Sequence, residues 1–302
     1  VQYLVGKGAN KEARDKDGKT ALISATWEGH VEIVRFLVEN GANIEAKTDA
    51  DGRTSVLWAS FFGNLEILQY LVAAGANKNA NDKNDGKSSL ILGIWDGHLQ
   101  VVQFLLTQGA NTEARTSVDR RTSLLWASYW GHLDVVAFLI ESNANLEAKD
   151  ISGCSSLMLA SEEGHLNVMK CLVEKGANME TAFYDGKTVL LRHSEAGDLD
   201  EVKYLVGKGA NKDAMVQSNG WTCLFFACNE EKLDVVQFLA ENGADLEKRC
   251  TNWRTALMCA SEKGCLRVVT TLIEAGADKD AADNFGWTPL IFACARGHLH
   301  VV

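Results

Sequence analysis

The tripeptide Gly8-Ala9-Asn10 returns along the whole chain, and each copy lies 33 or 34 residues after the one before it. Further copies begin at Gly41, Gly75, Gly109, Gly176 and Gly209; Gly243 and Gly276 begin Gly-Ala-Asp, and Asn143 stands once in the glycine's place. A period this steady predicts an array of stacked units rather than a globule around a buried catalytic centre. We therefore expect function to lie on the surface that the array displays.

One period contains the signals for two helices and a projecting loop. Asp15-Lys16-Asp17-Gly18 is a turn sequence. Gly29-His30 ends the first helix, because glycine accepts the left-handed angle at a helix C-terminus. Apolar residues from Val31 to Val38 recur at helical spacing, and Gly41-Ala42-Asn43 closes the second helix. Each unit is therefore predicted as helix, turn, helix and loop.

A hydroxyl residue precedes the first helix of every unit and predicts an N-cap bond that contributes about 1 kcal/mol. These residues are Thr20, Thr54, Ser88, Thr122, Ser155, Thr188, Thr222, Thr255 and Thr288. Some turn glycines are replaced, by Arg120, Trp253 and Glu231. A left-handed angle at Glu231 would cost roughly 1 kcal/mol.

Several of these units resemble the ankyrin repeat. The resemblance rests on Thr288-Pro289-Leu290 with Ala293, on Gly131-His132-Leu133-Asp134-Val135-Val136 and on Asn242-Gly243-Ala244-Asp245. It implies an all-α solenoid of helix-turn-helix units with projecting β-turn or hairpin loops. It also implies a protein-binding scaffold without chemistry of its own. The family's proline survives only at Pro289, and its histidine in the same motif is replaced by apolar residues.

The repeats are expected to form a single domain over residues 1–302. A partial repeat at 1–14 and a truncated repeat at 283–302 flank repeats at about 15–47, 48–81, 82–115, 116–149, 150–182, 183–215, 216–249 and 250–282. Val1 and Val302 both fall inside a second helix, so we expect this sequence to be a piece of a longer protein.

The partner-binding surface is expected where the loops and first helices of ankyrin arrays form a concave face. The residues at the end of each first helix divide into aromatic and acidic positions, and two large rings lie in the loops. The aromatic positions are Trp27, Phe61, Phe62, Trp95, Tyr129 and Trp130; the acidic ones are Glu162, Glu163, Glu195, Glu230 and Glu262; the loop rings are Trp221 and Trp287. Aligned aromatic side chains on a binding face are typical of hot spots.

Each of these assignments has a plainer alternative. The aromatic rings of the helices can pack between neighbouring repeats instead of contacting a partner. The glutamates can form an ordinary solvated face, and Trp221 and Trp287 can cover the adjacent hairpin. We expect Trp58 and Trp126, which lie one helical turn earlier, to be partly buried.

Composition limits the other functions. A formal charge of −10 argues against nucleic-acid binding, and no apolar run is long enough to insert into a membrane. Eight cysteines without a Cys-x-x-Cys pair are read as buried reduced thiols of a cytoplasmic or nuclear protein, without a metal or cofactor. Asp185-Gly186-Lys187-Thr188 ends like a phosphate loop but lacks the earlier glycine, and the recurrent histidines look structural, so no enzyme is predicted.

The sequence therefore predicts a protein-interaction scaffold, expected to be a monomer. Its partner would carry an apolar anchor for the aromatic positions and a basic segment for the glutamates. Two alternatives stay open: the array selects substrates within a larger enzyme, such as a kinase or ubiquitin ligase component, or it is a structural spacer.

Overall fold

The computed structural model describes residues 1–302 and is all-helical, which confirms the predicted fold class. Its contacts divide the chain into two compact units, Val1–Ala177 and Asn178–Val302. We describe each unit by itself, and a single domain over the whole chain stays a prediction. None of the helices has the length and apolar character that crossing a membrane would require.

Helices alternate in pairs along the chain. The first helices of the repeats are α2 (Ala21–Trp27), α4 (Ser55–Phe61), α6 (Ser89–Trp95), α8 (Ser123–Trp130), α10 (Ser156–Glu162), α12 (Val189–Ala196), α14 (Cys223–Asn229), α16 (Ala256–Lys263) and α18 (Pro289–Arg296). The second helices are α1 (Gln2–Gly6), α3 (Val31–Glu39), α5 (Leu65–Ala73), α7 (Leu99–Thr107), α9 (Leu133–Glu141), α11 (Leu166–Glu174), α13 (Leu199–Gly207), α15 (Leu233–Glu241) and α17 (Leu266–Glu274).

Within each unit, the first helices from α2 to α16 pack on their own second helices, and consecutive first helices pack on each other. The core lies between the row of first helices and the row of second helices. The residues that replace the family's histidine are almost fully buried in eight repeats: Ile23, Leu57, Ile91, Leu125, Met158, Leu191, Phe225 and Met258. Apolar contact therefore takes the place of a buried polar bond at this position.

The predicted N-caps form in eight repeats and fail in one. In the eight, the hydroxyl accepts a hydrogen bond from the backbone N–H three residues later, at 3.3–3.5 Å. Thr54 occupies the N-cap position of α4, but its buried hydroxyl has no partner. The prediction that every repeat is capped by its side chain is therefore wrong at this residue.

Four residues other than glycine adopt a positive φ. They are Arg120, Asn143, Glu231 and Trp253, with φ between 56° and 61°. All four stand where neighbouring repeats place glycine, and the left-handed angle expected at Glu231 is confirmed. The repeat geometry imposes the angle even where the side chain disfavours it.

Carboxylates connect the loops of successive repeats at six places in the chain. A Glu or Asp side chain in one loop accepts a hydrogen bond from a backbone N–H in the following loop, at 2.7–2.9 Å. The pairs are Glu12 with Asn43, Glu45 with Asn77, Glu113 with Asn145, Glu180 with Asn211, Asp213 with Asp245 and Glu247 with Asp278. Identical bonds at successive repeats keep the loops in register.

The cysteines are only partly as predicted. All eight are free thiols and five are buried, but Cys171 and Cys265 are half-buried and Cys294 is exposed. Burial raises the pKa of Cys223 and of Cys259 to about 12, so both stay protonated.

Glu231→Gly should stabilise the second unit by up to about 1 kcal/mol, because glycine adopts the left-handed angle without strain. The neighbouring Glu230→Gly is the matched control: Glu230 has φ −94°, so the same change there brings no such gain. Urea unfolding followed by circular dichroism measures both. A loss of stability in Glu231→Gly would contradict the assignment of strain.

Candidate functional site

Eight aromatic rings in the first unit form one continuous row of contacts. Neighbouring ring centroids lie 4.3–6.4 Å apart. This aromatic row consists of Trp27, Trp58, Phe61, Phe62, Trp95, Trp126, Tyr129 and Trp130. The six predicted contact residues are half-buried, so they are neither core nor fully exposed. Trp58 and Trp126 are 6% and 7% exposed, more deeply buried than expected.

The row contains the same arrangement twice. Trp27, Trp58, Phe61 and Phe62 form cluster one, and the residues 68 positions later, Trp95, Trp126, Tyr129 and Trp130, form cluster two. In both clusters the buried tryptophan stacks on the last ring, at 5.7 Å and 19° in cluster one and at 4.5 Å and 17° in cluster two. Phe61 and Trp95 join the clusters, with centroids 6.4 Å apart.

The prediction from single repeats missed this duplication. Arg53-Thr-Ser-Val-Leu-Trp-Ala-Ser60 matches Arg121-Thr-Ser-Leu-Leu-Trp-Ala-Ser128 almost letter for letter. Comparing the chain with itself at an offset of two repeats would have revealed it. The half-buried state of the rings could not be predicted from such a sequence comparison, because it depends on side chains from neighbouring loops.

A cation covers the rings in each of the first four repeats. All four cations directly precede the N-cap residue, so the loop places them over the first helices. Lys19 Nζ lies 3.8 Å from the centroid of Trp27, and Lys87 Nζ lies 5.3 Å from that of Trp95. The Arg53 guanidinium lies 4.7 Å from the centroid of Trp58, and that of Arg121 lies 4.9 Å from Trp126. At these distances the ring faces attract the cations.

Each of these cations is also paired with a carboxylate of the chain. Lys19 lies 3.9 Å from Asp17, and Lys87 lies 2.5 Å from Asp85. Arg53 lies 3.6 Å from Asp51 and 3.5 Å from Asp82. Arg121 lies 3.2 Å from Asp150. The positive charge above the row is therefore already neutralised.

Two acidic side chains beside the row are exposed and make no hydrogen bond or ion pair. Glu28 directly follows Trp27, and Asp96 directly follows Trp95, each as the C-cap of its helix. They too are 68 residues apart. The free charge at each cluster is thus a carboxylate.

Two buried donors in the row also lack partners. The indole N–H groups of Trp58 and Trp126 are shielded from solvent and have no acceptor. An unsatisfied buried donor costs about 1–3 kcal/mol. The same unsatisfied group therefore occurs at the same place in both clusters.

The recurrent histidines have a structural role, as predicted, but they bond the ends of first helices in the neighbouring repeat. Nε2 of His98 lies 3.1 Å from the Phe61 carbonyl, and Nε2 of His132 lies 3.1 Å from the Trp95 carbonyl. A carbonyl can only accept, so these ring nitrogens donate. The imidazole of His98 covers Gly63, where a Cβ would come within 2.6 Å of the ring. Glycine is required there both for its positive φ and for this close approach.

The acidic positions do not form a uniform free surface. Glu195 pairs with Lys187, and Glu262 pairs with Arg254 and Arg296. The exposed Glu230 accepts a hydrogen bond from the Asn229 amide at 2.7 Å. Glu162 and Glu163, in the first unit, are exposed. Local cations neutralise part of the negative charge that the sequence places at these positions.

The two loop rings, Trp221 and Trp287, pack in part on their own repeats instead of being free for a partner. Trp221 is half-buried against Phe225 and Phe226 of its own repeat, with centroids 5.0 Å apart in each pair. Trp287 packs on Phe292 yet remains 40% exposed. The sequence reading missed the most exposed rings of the second unit, which are Tyr184 at 87%, Phe285 at 79% and Trp253 at 60%.

Arg121→Ala should destabilise the first unit by about 2 kcal/mol or more. Its partner Asp150 has a side chain only 3% exposed and would lose the cation that balances its charge. Lys19→Ala, the matched change, should cost less than about 1 kcal/mol, because its partner Asp17 is 52% exposed. Urea unfolding compares the two variants, and equal losses would contradict the burial argument.

Comparison with known proteins agrees with the repeat geometry. The family model for ankyrin repeats in three copies matches residues 1–82, 45–116, 90–182, 157–250, 190–283 and 246–302. Three relatives are similar over one stretch each. The chain is 30% identical over 84 residues to the fem-1 homolog A-like protein of Mus musculus, 28% of this chain and 13% of that protein. It is 34% identical over 82 residues to the glycerophosphocholine phosphodiesterase GDE1 of Candida albicans, 26% of this chain and 7% of that protein.

The third relative is a probable 26S proteasome regulatory subunit p28 of Saccharomyces cerevisiae, 32% identical over 84 residues, 28% of this chain and 37% of the subunit. The matched stretches thus span well under two thirds of each relative. The family model, in contrast, covers the chain from its first residue to its last. The chain belongs to the ankyrin repeat family, whose members are generally protein-interaction modules.

Proposed function

We propose that this chain is a protein-interaction scaffold that binds a partner along the ends of its first helices, with the aromatic row as the main anchor. The observation that carries the proposal is the half-buried state of the row. Six large rings at equivalent positions keep part of their surface open while their neighbours hold them rigidly. Rigid aromatic side chains lose little entropy on binding and dominate interface energetics.

The acidic positions provide a second contact for a basic segment of the partner. Glu163 and Glu230 are exposed and contribute most to this contact, and Glu162 is exposed as well. Glu195 and Glu262 contribute less, because cations of the chain already pair with them. Trp287 remains a candidate contact, whereas the packing of Trp221 gives it a smaller part.

The cellular compartment, the oligomeric state and the absence of other activities are also proposals. Eight free thiols favour a reducing compartment, the cytoplasm or the nucleus. We propose a monomer that binds neither nucleic acid nor membrane and has no catalytic role. The alternative is a recognition segment within a larger enzyme or assembly, because the relatives include a named phosphodiesterase and a named proteasome subunit, each matched over a part of its length.

The proposal predicts that the aromatic row is needed for capture of a partner. The full chain, immobilised, should retain at least one protein from a cell extract. A variant with Trp27→Ala, Phe62→Ala, Trp95→Ala and Trp130→Ala should retain at least about tenfold less of it, as expected for the loss of hot-spot residues.

The control variant carries Tyr184→Ala and Phe285→Ala, which remove the most exposed rings of the second unit. It should retain the partner fully. Circular dichroism verifies that both variants are folded, and the single changes Trp27→Ala and Trp130→Ala replace the fourfold variant if it is not. Undiminished capture by the folded row variants, or loss in the control, would refute the site.

A further inference from the structure

The duplication of the aromatic row includes its charged residues. Cluster one is flanked by Lys19 and Arg53 and by four carboxylates, and cluster two has the same charges 68 residues later. The carboxylates are Asp17, Glu28, Asp51 and Asp82 for cluster one, and Asp85, Asp96, Asp119 and Asp150 for cluster two. We propose that the two clusters are equivalent subsites for one extended polypeptide that inserts two basic side chains, one at each cluster. This inference rests on the proposed function.

The charge balance favours a basic ligand over an acidic one. Each cluster has two cations and four carboxylates, so each has an excess of two negative charges. Lys19, Arg53, Lys87 and Arg121 are all within 4 Å of chain carboxylates. Glu28 and Asp96 are exposed and have no partner in the chain, and they directly follow Trp27 and Trp95 in the sequence. An exposed carboxylate that no cation of the chain neutralises can bind a lysine or arginine side chain through a charge-assisted hydrogen bond.

The buried indoles point to an extended chain as the ligand. Trp58 and Trp126 each have an N–H without an acceptor, at the same place in the two clusters. An extended polypeptide brings main-chain carbonyls at regular intervals, and one carbonyl at each cluster would provide the missing acceptor after a small shift of the rings. Two basic side chains alone would leave both donors unsatisfied.

The distance between the subsites sets the spacing of the two basic residues. Packed helices lie 8–10 Å apart, so equivalent positions two repeats apart are separated by roughly 20 Å. An extended chain advances about 3.3 Å per residue. The ligand therefore needs its two basic residues about six residues apart. Shorter spacings cannot reach both clusters, and longer ones gain less because the linker stays mobile.

The test uses the intact chain and Gly/Ser peptides, with the tryptophan indole N–H signals observed by NMR. The probe has two arginines about six residues apart. It should shift the signals of Trp27 and Trp95 in parallel, and bind about tenfold or more tightly than a peptide with one arginine. The signal of Trp253, in the second unit, should not move. Peptides with two arginines about two residues apart should bind like the single-arginine peptide.

Matched variants identify the contribution of the carboxylates. Glu28→Gln and Asp96→Asn should each reduce the affinity of the two-arginine peptide to that of the single-arginine peptide. Glu39→Gln, an exposed change on α3, should leave it unaltered. Equal binding of a peptide with two glutamates, independence of spacing, or no shift of Trp27 and Trp95 would overturn the inference.

The outcome separates this inference from the proposed function. If capture of a partner needs the aromatic row but Glu28→Gln and Asp96→Asn capture it normally, the scaffold function holds and the two-subsite inference fails. If the row variants also capture the partner, the proposed function fails.

Discussion

The side-chain bond from one repeat to the backbone of the next is the interaction on which the rest of the structure depends. Carboxylates bond loop amides of the following repeat, and imidazoles bond helix-end carbonyls of the preceding one. Each is a modest hydrogen bond, worth about 1 kcal/mol. Their number matters less than their equivalence, because the same bond, repeated along a unit, favours one relative position of neighbouring repeats.

Because neighbouring repeats are held in one register, residues at related positions of successive repeats line up in rows. Because adjacent first helices lie side by side, the rings of Trp27 and of Trp58, which lies one helical turn earlier in its repeat, come within 4.3 Å although 31 residues separate them in the sequence. The cations before the N-caps form a second row above the rings, and their carboxylates a third. A binding face made in this way needs no cavity. Its specificity comes from which residue each repeat places at the shared positions.

The repeat period alone predicts the helices, the left-handed turns and a structural role for the histidines, because these features are local or recur from repeat to repeat. The failed cap at Thr54 could not be predicted in this way, since its sequence context is the same as that of Thr122, which does form the bond. The pairing of Glu195 and Glu262 with cations could not be predicted from the sequence either. Both depend on side-chain geometry in three dimensions, as does the burial of Trp58 and Trp126.

Hydrogen exchange of the loop amides tests most directly whether side-chain bonds between repeats fix the position of the loops. The amide of Asn145 belongs to an exposed residue but bonds the Glu113 carboxylate, whereas that of Ala50 is exposed without an acceptor. The account predicts slower exchange at Asn145 than at Ala50, and loss of that protection in Glu113→Ala alone. Exchange at Asn145 as fast as at Ala50, or protection that survives Glu113→Ala, would contradict it.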